Sequence, residues 1–262
     1  MNTQMIFKRY EIKFMLDPGQ KEALMDVMKD YMVPDAFGKT TIRNIYMDTD
    51  NFRLVRASIE KPVYKEKLRI RSYHPPKAED EVFVELKKKY RSVVYKRRLA
   101  LPWDQVQECF NRDLPLPSDT QVSWEIDYFR GFYGKLSPAV FLSYDRKAWY
   151  DAYDRDFRIT FDENILCRRQ ELALNGPIWG RPLLGQDQIL MEIKCSGGIP
   201  LWMTHFLSEN HIYKTSFSKY GTAYARMILG TFPLSGVSGT VENPGFATSP
   251  AGGYPYAVKG PA

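Results

Sequence analysis

The chain has 262 residues, 44% of them hydrophobic, with 37 Lys and Arg against 31 Asp and Glu for a net charge of +6. That length buries a full core, as one large domain or two small ones. The basic excess points to an anionic partner and fits nucleic acid, phospholipid headgroups or nucleotides equally. Cys109, Cys167 and Cys195 are an odd set without paired spacing, which excludes a disulfide framework and a zinc knuckle and predicts reduced thiols. Met1 to Lys8 lacks the apolar stretch of a signal peptide. No apolar run approaches the roughly 20 residues that span a bilayer. The expectation is a soluble, cytoplasmic protein, with room for attachment to a membrane through a partner.

In chain order, Met5 to Leu16 alternates apolar and polar residues and predicts a strand. Asp17-Pro18-Gly19 punctuates, and Pro18 suits a helix start. Ala23, Leu24, Val27, Met28 and Tyr31 then stand at helical spacing, predicting a helix from Gln20 to Tyr31 that Pro34 ends. Thr41 to Asp48 predicts a strand, and Phe52 to Ser58 a short helix. Lys65–Tyr73, Glu81–Lys88 and Ser92–Leu101 predict three further strands. Trp103–Asn111 predicts a helix, and Val122, Ile126, Phe129 and Tyr133 mark another. Ala139–Tyr150, Phe157–Asn164 and Ile189–Ser196 predict strands. Pro200–Asn210 and Ser218–Leu229 predict the last helices. From residue 231 the composition turns to Gly, Pro, Ser and Ala, so one domain over 1–230 and a disordered tail over 231–262 are expected. Strands dominate and helices fill the connections, an α+β class with an antiparallel sheet large enough to curl or close.

The strands share a peculiarity. Residues i and i+2 of a strand face the same way. In Glu11-x-Lys13, Lys67-x-Arg69-x-Arg71, Glu85-x-Lys87, Lys96-x-Arg98, Arg158-x-Thr160-x-Asp162 and Glu192-x-Lys194, one parity is charged and the other apolar. An open sheet with one solvated face would explain any single strand, its charges pairing across strands for a few tenths of a kcal/mol. The runs accumulate, however. Arg69, Arg71, Lys87, Lys96, Arg98, Arg146, Arg158 and Lys194 would crowd one surface with few acids, and that self-repulsion is costly unless an anion sits there. A triphosphate meets the need, since Arg offers it bidentate donors and Lys a point charge. Neither a P-loop nor a GxGxxG motif is present, so side chains must hold the phosphates. The few acids of this parity, Glu11, Glu85, Glu192 and Asp162, include candidate ligands for Mg²⁺ or Mn²⁺, which bind one or two carboxylates plus substrate phosphates. Glu192 leads, because Lys194 beside it can hold the same phosphate. A cross-strand partner for Arg is its alternative role. His74, His205 and His211 are scattered.

The ordered series Arg9-x-Glu11-x-Lys13, Ile45-Tyr46-Met47-Asp48-Thr49, Lys67-x-Arg69-x-Arg71, Glu85-Leu86-Lys87, Ser143-Tyr144-Asp145-Arg146, Arg158-Ile159-Thr160-Phe161-Asp162, Glu192-Ile193-Lys194 and Ser218-Lys219-Tyr220 resembles the VTC domain. That is the polyphosphate polymerase branch of the triphosphate tunnel metalloenzyme (CYTH-like) superfamily. The resemblance runs from about Met5 to Leu229. It implies an antiparallel eight-stranded β-barrel tunnel with helices packed outside. The lumen would be basic and hold triphosphate with Mn²⁺ or Mg²⁺. It further implies transfer of the γ-phosphate of ATP to a growing polyphosphate chain. The partners would be ATP, inorganic polyphosphate, orthophosphate or pyrophosphate and a membrane protein. A nucleic-acid binder is a further rival, but no nucleic acid is expected, because the Tyr and Phe that would stack on bases stand mainly on the apolar parity.

By this resemblance, Lys13, Arg69, Arg71, Lys87, Arg146, Arg158 and Lys219 form the catalytic grip on phosphate. Arg9, Lys96, Arg98, Tyr144, Lys194 and Ser218 bind substrate, same-face spacing allowing both Lys96 and Arg98. Glu192, with Glu11 as a second candidate, holds the metal. Hydrolytic members of the superfamily typically open with Glu-x-Glu-x-Lys. Here Arg9 stands in place of the first Glu, as in the VTC branch, which weakens a second metal site and the activation of water. A tripolyphosphatase or nucleoside triphosphatase on the same fold, and a non-catalytic polyphosphate sensor or accessory domain, are the alternatives.

Overall fold

The alternating segments do become strands. A computed structural model describes residues 10–91 and 93–230. Long strands are β1 (Tyr10–Leu16), β3 (Thr40–Asp48), β4 (Tyr64–Ser72), β5 (Glu81–Tyr90), β6 (Val93–Pro102), β7 (Ser137–Asp151), β8 (Arg158–Arg168) and β10 (Ile189–Cys195). Helices are α1 (Pro18–Met28), α2 (Arg53–Ile59), α3 (Trp103–Asn111), α4 (Gln121–Tyr133), α5 (Leu201–Glu209) and α6 (Lys219–Met227). Residues 5–9 of the first expected strand and the expected tail at 231–262 lie outside the described residues.

Helix α1 starts where its caps dictate. The Asp17 side chain accepts from the Gln20 amide at 2.8 Å, and Gln20 Oε1 accepts from the Asp17 amide at 3.1 Å. It ends at Met28, not Tyr31. The chain then forms a short strand, β2 (Met32–Pro34), that pairs with β7 through Met32↔Asp151 and Val33↔Tyr150. Apolar spacing alone would extend the helix; sheet pairing outweighs that weak propensity. Two more short strands escape sequence reading, β9 (Arg181–Pro182) on β8 and β11 (Lys214–Thr215) on β1. Two residues are too few to show a period.

All strand pairings are antiparallel, in the order β11-β1-β10-β8-β7-β3-β4-β5-β6, with β2 attached to β7 and β9 to β8. The expected closed barrel of eight strands is thus corrected. Among the described residues the sheet has eleven strands, and its ends, β11 and β6, are not hydrogen-bonded to each other. It is nevertheless strongly curled. Strands β1 and β5 stand six places apart, roughly 29 Å in a flat sheet. Yet Lys87 Nζ of β5 donates to Glu11 Oε2 of β1 at 2.9 Å. Side chains, not a backbone ladder, bridge the concave face.

Three apolar clusters fix this shape. On the convex side, Leu68, Ile70, Val82, Val84 and Leu86 pack under Trp103 and Val106 of α3 and Ile126 and Phe129 of α4. Phe14, Leu16, Phe161, Met191 and Ile193 pack under Leu24 and Met28 of α1 and Met203 and Phe206 of α5. Each such fully buried side chain contributes about 1.5–3 kcal/mol. The third cluster lies on the concave side, where Tyr46, Val140, Leu142, Tyr144 and Leu190 meet Val55 of α2 and Tyr220, Ala223 and Tyr224 of α6. The expectation that helices pack only outside is corrected here. Helix α6 enters the curl, Tyr220 stacking on Tyr46 at 4.6 Å between ring centroids and donating to Asp48 Oδ2 at 2.7 Å. One part of the concave face is therefore apolar and filled, and the rest is charged. All three cysteines are buried and free, joined by no disulfide.

Candidate functional site: a basic cluster on the concave face

Strand parity decides which side chains meet. On β4, Leu68 and Ile70 go to the convex core, so Lys67, Arg69 and Arg71 go to the concave side. By the same rule β1 presents Glu11 and Lys13, β5 presents Glu85 and Lys87, β6 presents Lys96 and Arg98, and β10 presents Glu192 and Lys194. Strand β7 adds Tyr144 and Arg146, and β8 adds Thr160 and Asp162.

Four carboxylates organise the cations. Glu85, 1% exposed, takes two bonds from Arg69 at 2.8 Å and an ion pair from Lys96 at 2.6 Å. Arg98 and Arg71 stand 3.5 and 3.7 Å away. Burial alone would raise the Glu85 carboxyl, but the charges of Arg69, Arg71 and Lys96 outweigh it and hold it far below the carboxylate range. Asp162, fully buried, receives a bidentate pair from Arg146 at 2.6 and 2.7 Å and a bond from Lys219 at 2.5 Å. Glu192 pairs with Lys194 at 3.1 Å. Lys13 Nζ lies 3.9 Å from Glu192 and 3.8 Å from Glu11. Burial opposes ionisation of Glu192, but Lys194, Lys13 and Arg146 push its carboxyl well below its ordinary value.

Helix α6 completes the cluster. Ser218 is its N-cap, accepting from the Gly221 amide at 3.2 Å, and Lys67 Nζ donates to the same hydroxyl at 3.0 Å. Lys13 Nζ donates to the Phe217 carbonyl at 2.8 Å. The positive end of the α6 dipole thereby points at the cations and reinforces an anion site. Tyr46 and Tyr144 accept from Arg69 and Arg71 at 3.2 and 3.3 Å, and Lys219 lies 4.4 Å from the Tyr144 ring centroid.

The structure thus gathers Glu11, Lys13, Arg69, Arg71, Lys87, Lys96, Arg98, Tyr144, Arg146, Glu192, Lys194, Ser218 and Lys219 around one face. Two predicted residues are not among them. Arg9 lies outside the described residues. Arg158 sits at the rim, where its guanidinium donates to Asp35 Oδ2 at 2.6 Å, away from the cluster. Lys67, Tyr46, Glu85 and Asp162 belong to the site without having been picked as site residues. Parity with Arg69 would have found Lys67, whereas the roles of Glu85 and Asp162 depend on cations from distant strands.

The donor set suits a hard divalent cation. Glu11 and Glu192 share Lys13 and repel each other across a small gap, and carboxylate oxygens are what Mg²⁺ and Mn²⁺ prefer. Among the described residues no group of three or more His, Cys, Asp or Glu forms a metal cage. Substrate phosphate oxygens would therefore have to complete the coordination.

Crowding also shifts two groups into the range of working pH. Burial lowers the Lys67 ammonium to about 8, with repulsion from Lys13 and Lys87 adding to it. Burial would raise the Tyr144 phenol, but Arg71, Arg146 and Lys219 bring it down to about 8. Rising pH removes positive charge at Lys67 and adds negative charge at Tyr144. Triphosphate affinity should therefore fall steeply between about pH 7 and pH 9. Titration calorimetry across that range checks it, and an unchanged affinity would refute the cluster's ionisation. Stability of the empty protein should move the other way. Both groups titrate lower folded than unfolded, so the unfolded chain binds more protons from about pH 8 to 10, and stability rises with pH there.

The profile of the VTC domain family matches residues 8–228. Among solved structures, a Bacillus halodurans protein named as a candidate adenylate cyclase is similar at 15% identity, over 84% of this chain and 99% of its own, with a TM-score of 0.51. A Vibrio parahaemolyticus protein named in the same way is similar at 9% identity, over 81% and 97%, with a TM-score of 0.43. The first of these shows a shared fold and nothing beyond it. No curated protein sequence matches the chain.

Proposed function

The chain belongs to the VTC domain family, and on that premise we propose that it is an ATP-dependent polyphosphate polymerase. The observation that carries this reading is the convergence of Lys13, Lys67, Arg69, Arg71, Lys87, Arg146 and Lys219 on one concave face whose carboxylates are each shared among several cations. A chain of phosphates can exchange with those carboxylates, anion for anion, without leaving the cations unpaired.

In this mechanism the residues position and neutralise, and no protein nucleophile takes part. Arg69, Arg71 and Arg146 hold the β- and γ-phosphates of ATP by charge-assisted bonds. Lys13, Lys67, Lys87 and Lys219 hold the terminal phosphate of the growing chain against them. An oxygen of that terminal phosphate forms a bond to the γ-phosphorus, the bond from the γ-phosphorus to the β–γ bridging oxygen breaks, and ADP leaves with the electron pair. Glu192, with Glu11 beside it, would hold Mn²⁺ or Mg²⁺, which supplies further neutralisation of the phosphate oxygens. Arg9 stands, by family resemblance, where hydrolytic relatives carry a carboxylate. That favours an anionic acceptor over activated water and makes hydrolysis the weaker reading.

The test is direct. The pure chain, given ATP and Mn²⁺, should build a polyphosphate ladder on a gel. Orthophosphate without a ladder would mark a triphosphatase or nucleoside triphosphatase, and tight polyphosphate binding without turnover a sensor or accessory domain. Arg69→Ala should weaken triphosphate binding about 10- to 100-fold, the worth of a charged hydrogen-bonding pair. Calorimetry with tripolyphosphate reads this without turnover, and wild-type affinity would place Arg69 off the substrate path. Among the described residues no helix is long and apolar enough to cross a membrane.

A further inference from the structure

Helix α4 covers the convex core with Ile126 and Phe129. Its opposite face is unusual. Trp124, Tyr128 and Phe132, spaced four residues apart, are 61%, 74% and 60% exposed. Side chains at i, i+4 and i+8 form one continuous ridge along a helix. Gly131 lies beside that ridge, where an added Cβ would meet nothing within 4 Å, so a partner ring can approach the backbone. Three large aromatic side chains in line on one helix are more than scattered surface apolarity.

The charges at the two ends of the ridge differ in sign. At the C-terminal end stand exposed Lys135 and Arg53, the latter 6.0 and 5.2 Å from the ring centroids of Phe132 and Tyr133. At the N-terminal end, just before the Thr120 cap, stands exposed Asp119. An anionic bilayer would attract one end and repel the other. An antiparallel copy of the same helix would match both, and would also set the two helix dipoles head to tail. The sequence is close to self-complementary about Tyr128, with Trp124 and Phe132 equidistant from it and Asp119 and Lys135 beyond them.

We propose that α4 is the dimer interface of this protein: a second copy lays its own Trp124, Tyr128 and Phe132 ridge antiparallel on the first, about a two-fold axis at Tyr128. Such an isologous contact repeats each pairing twice. Trp124 packs on the partner's Phe132, and Lys135 meets the partner's Asp119. The three rings offer roughly 450 Å² per copy. With Arg53, Gln121 and Lys135 at the rim, the total passes the ~1,000 Å² that a specific interface needs. The ridge is on the convex side, so both concave sites stay open in the dimer.

Sedimentation equilibrium of the full chain over a dilution series should show a monomer–dimer equilibrium. Tyr128→Glu puts two like charges on the axis and should leave only monomer, while tripolyphosphate affinity and the circular-dichroism spectrum of the fold stay as in the wild type, and the melting temperature loses the concentration dependence that dimerisation gives the wild type. Lys135→Asp and Asp119→Lys should each weaken the dimer about tenfold or more, and the double variant should restore it. A monomer at every concentration, or a dimer indifferent to Tyr128→Glu, overturns the proposal. So does flotation with anionic vesicles that Tyr128→Glu abolishes, which would give the ridge to a membrane.

Discussion

Glu192→Ala is expected to reduce metal-dependent phosphoryl transfer by roughly a thousandfold while leaving the fold intact. Glu192 sits buried on strand β10, between Lys13 and Lys194, with its carboxyl held ionised by those cations and Arg146. With Glu11 it makes up the carboxylate pair facing Lys13. Glu11 is more exposed and already engaged by Lys87, so it is the weaker donor. On the proposed function, losing Glu192 removes the principal oxygen ligand of the metal but not a packing element. Its neighbours Met191 and Ile193, which point the other way, keep the strand in place. The decisive measurement is turnover at saturating ATP as Mn²⁺ is raised, alongside thermal melting. Full turnover in a folded variant would remove Glu192 from metal binding and leave it as a cross-strand partner of lysines.

The second large effect is on stability. Asp162 is fully buried and neutralises both Arg146 and Lys219. Asp162→Asn keeps the shape and deletes the charge, stranding two cations in a crowded positive field. Breaking a buried pair in this way costs about 3–5 kcal/mol. At about 2–4 °C per kcal/mol for a chain of this size, the melting temperature should fall by roughly 10 °C. The same cations should still accept phosphate. Tripolyphosphate is therefore expected to raise the melting temperature of Asp162→Asn more than that of the wild type, because the ligand supplies the missing negative charge. Equal shifts in the two proteins would show that Asp162 and phosphate do not share the same cations.

Part of the site was legible beforehand. Alternation in Lys67-x-Arg69-x-Arg71 and Glu192-x-Lys194 states which side chains share a face, since strand parity is a local property of the backbone. Arg158 shows the limit of that logic. Its parity is that of Asp162, but it stands at the strand's first residue. There a long side chain can turn to Asp35, which lies more than a hundred residues away in the chain. Glu85 shows the converse. Its position on the charged face was evident, but not that Arg69, Arg71, Lys96 and Arg98 would all turn to it.

Helix α6 divides local from tertiary information in the same way. Tyr220 and Tyr224 at helical spacing predict a helix with one apolar side, and nothing local says which side of a sheet it will cover. The stacking of Tyr220 on Tyr46 and its bond to Asp48 draw the helix into the curl. Its N-cap, Ser218, and Lys219 are thereby placed among the cations.

By itself the sequence determined the family, the long strands and the cationic face, because period-two alternation and residue charge are written locally. Tertiary structure decided that the sheet stays open at β6 and β11, that side chains bridge its concave face, and that each acid neutralises particular cations. Those outcomes depend on sheet curvature and on charges meeting across many strands. They are set by the summed packing of three cores and by long-range electrostatics, which no short window of residues contains.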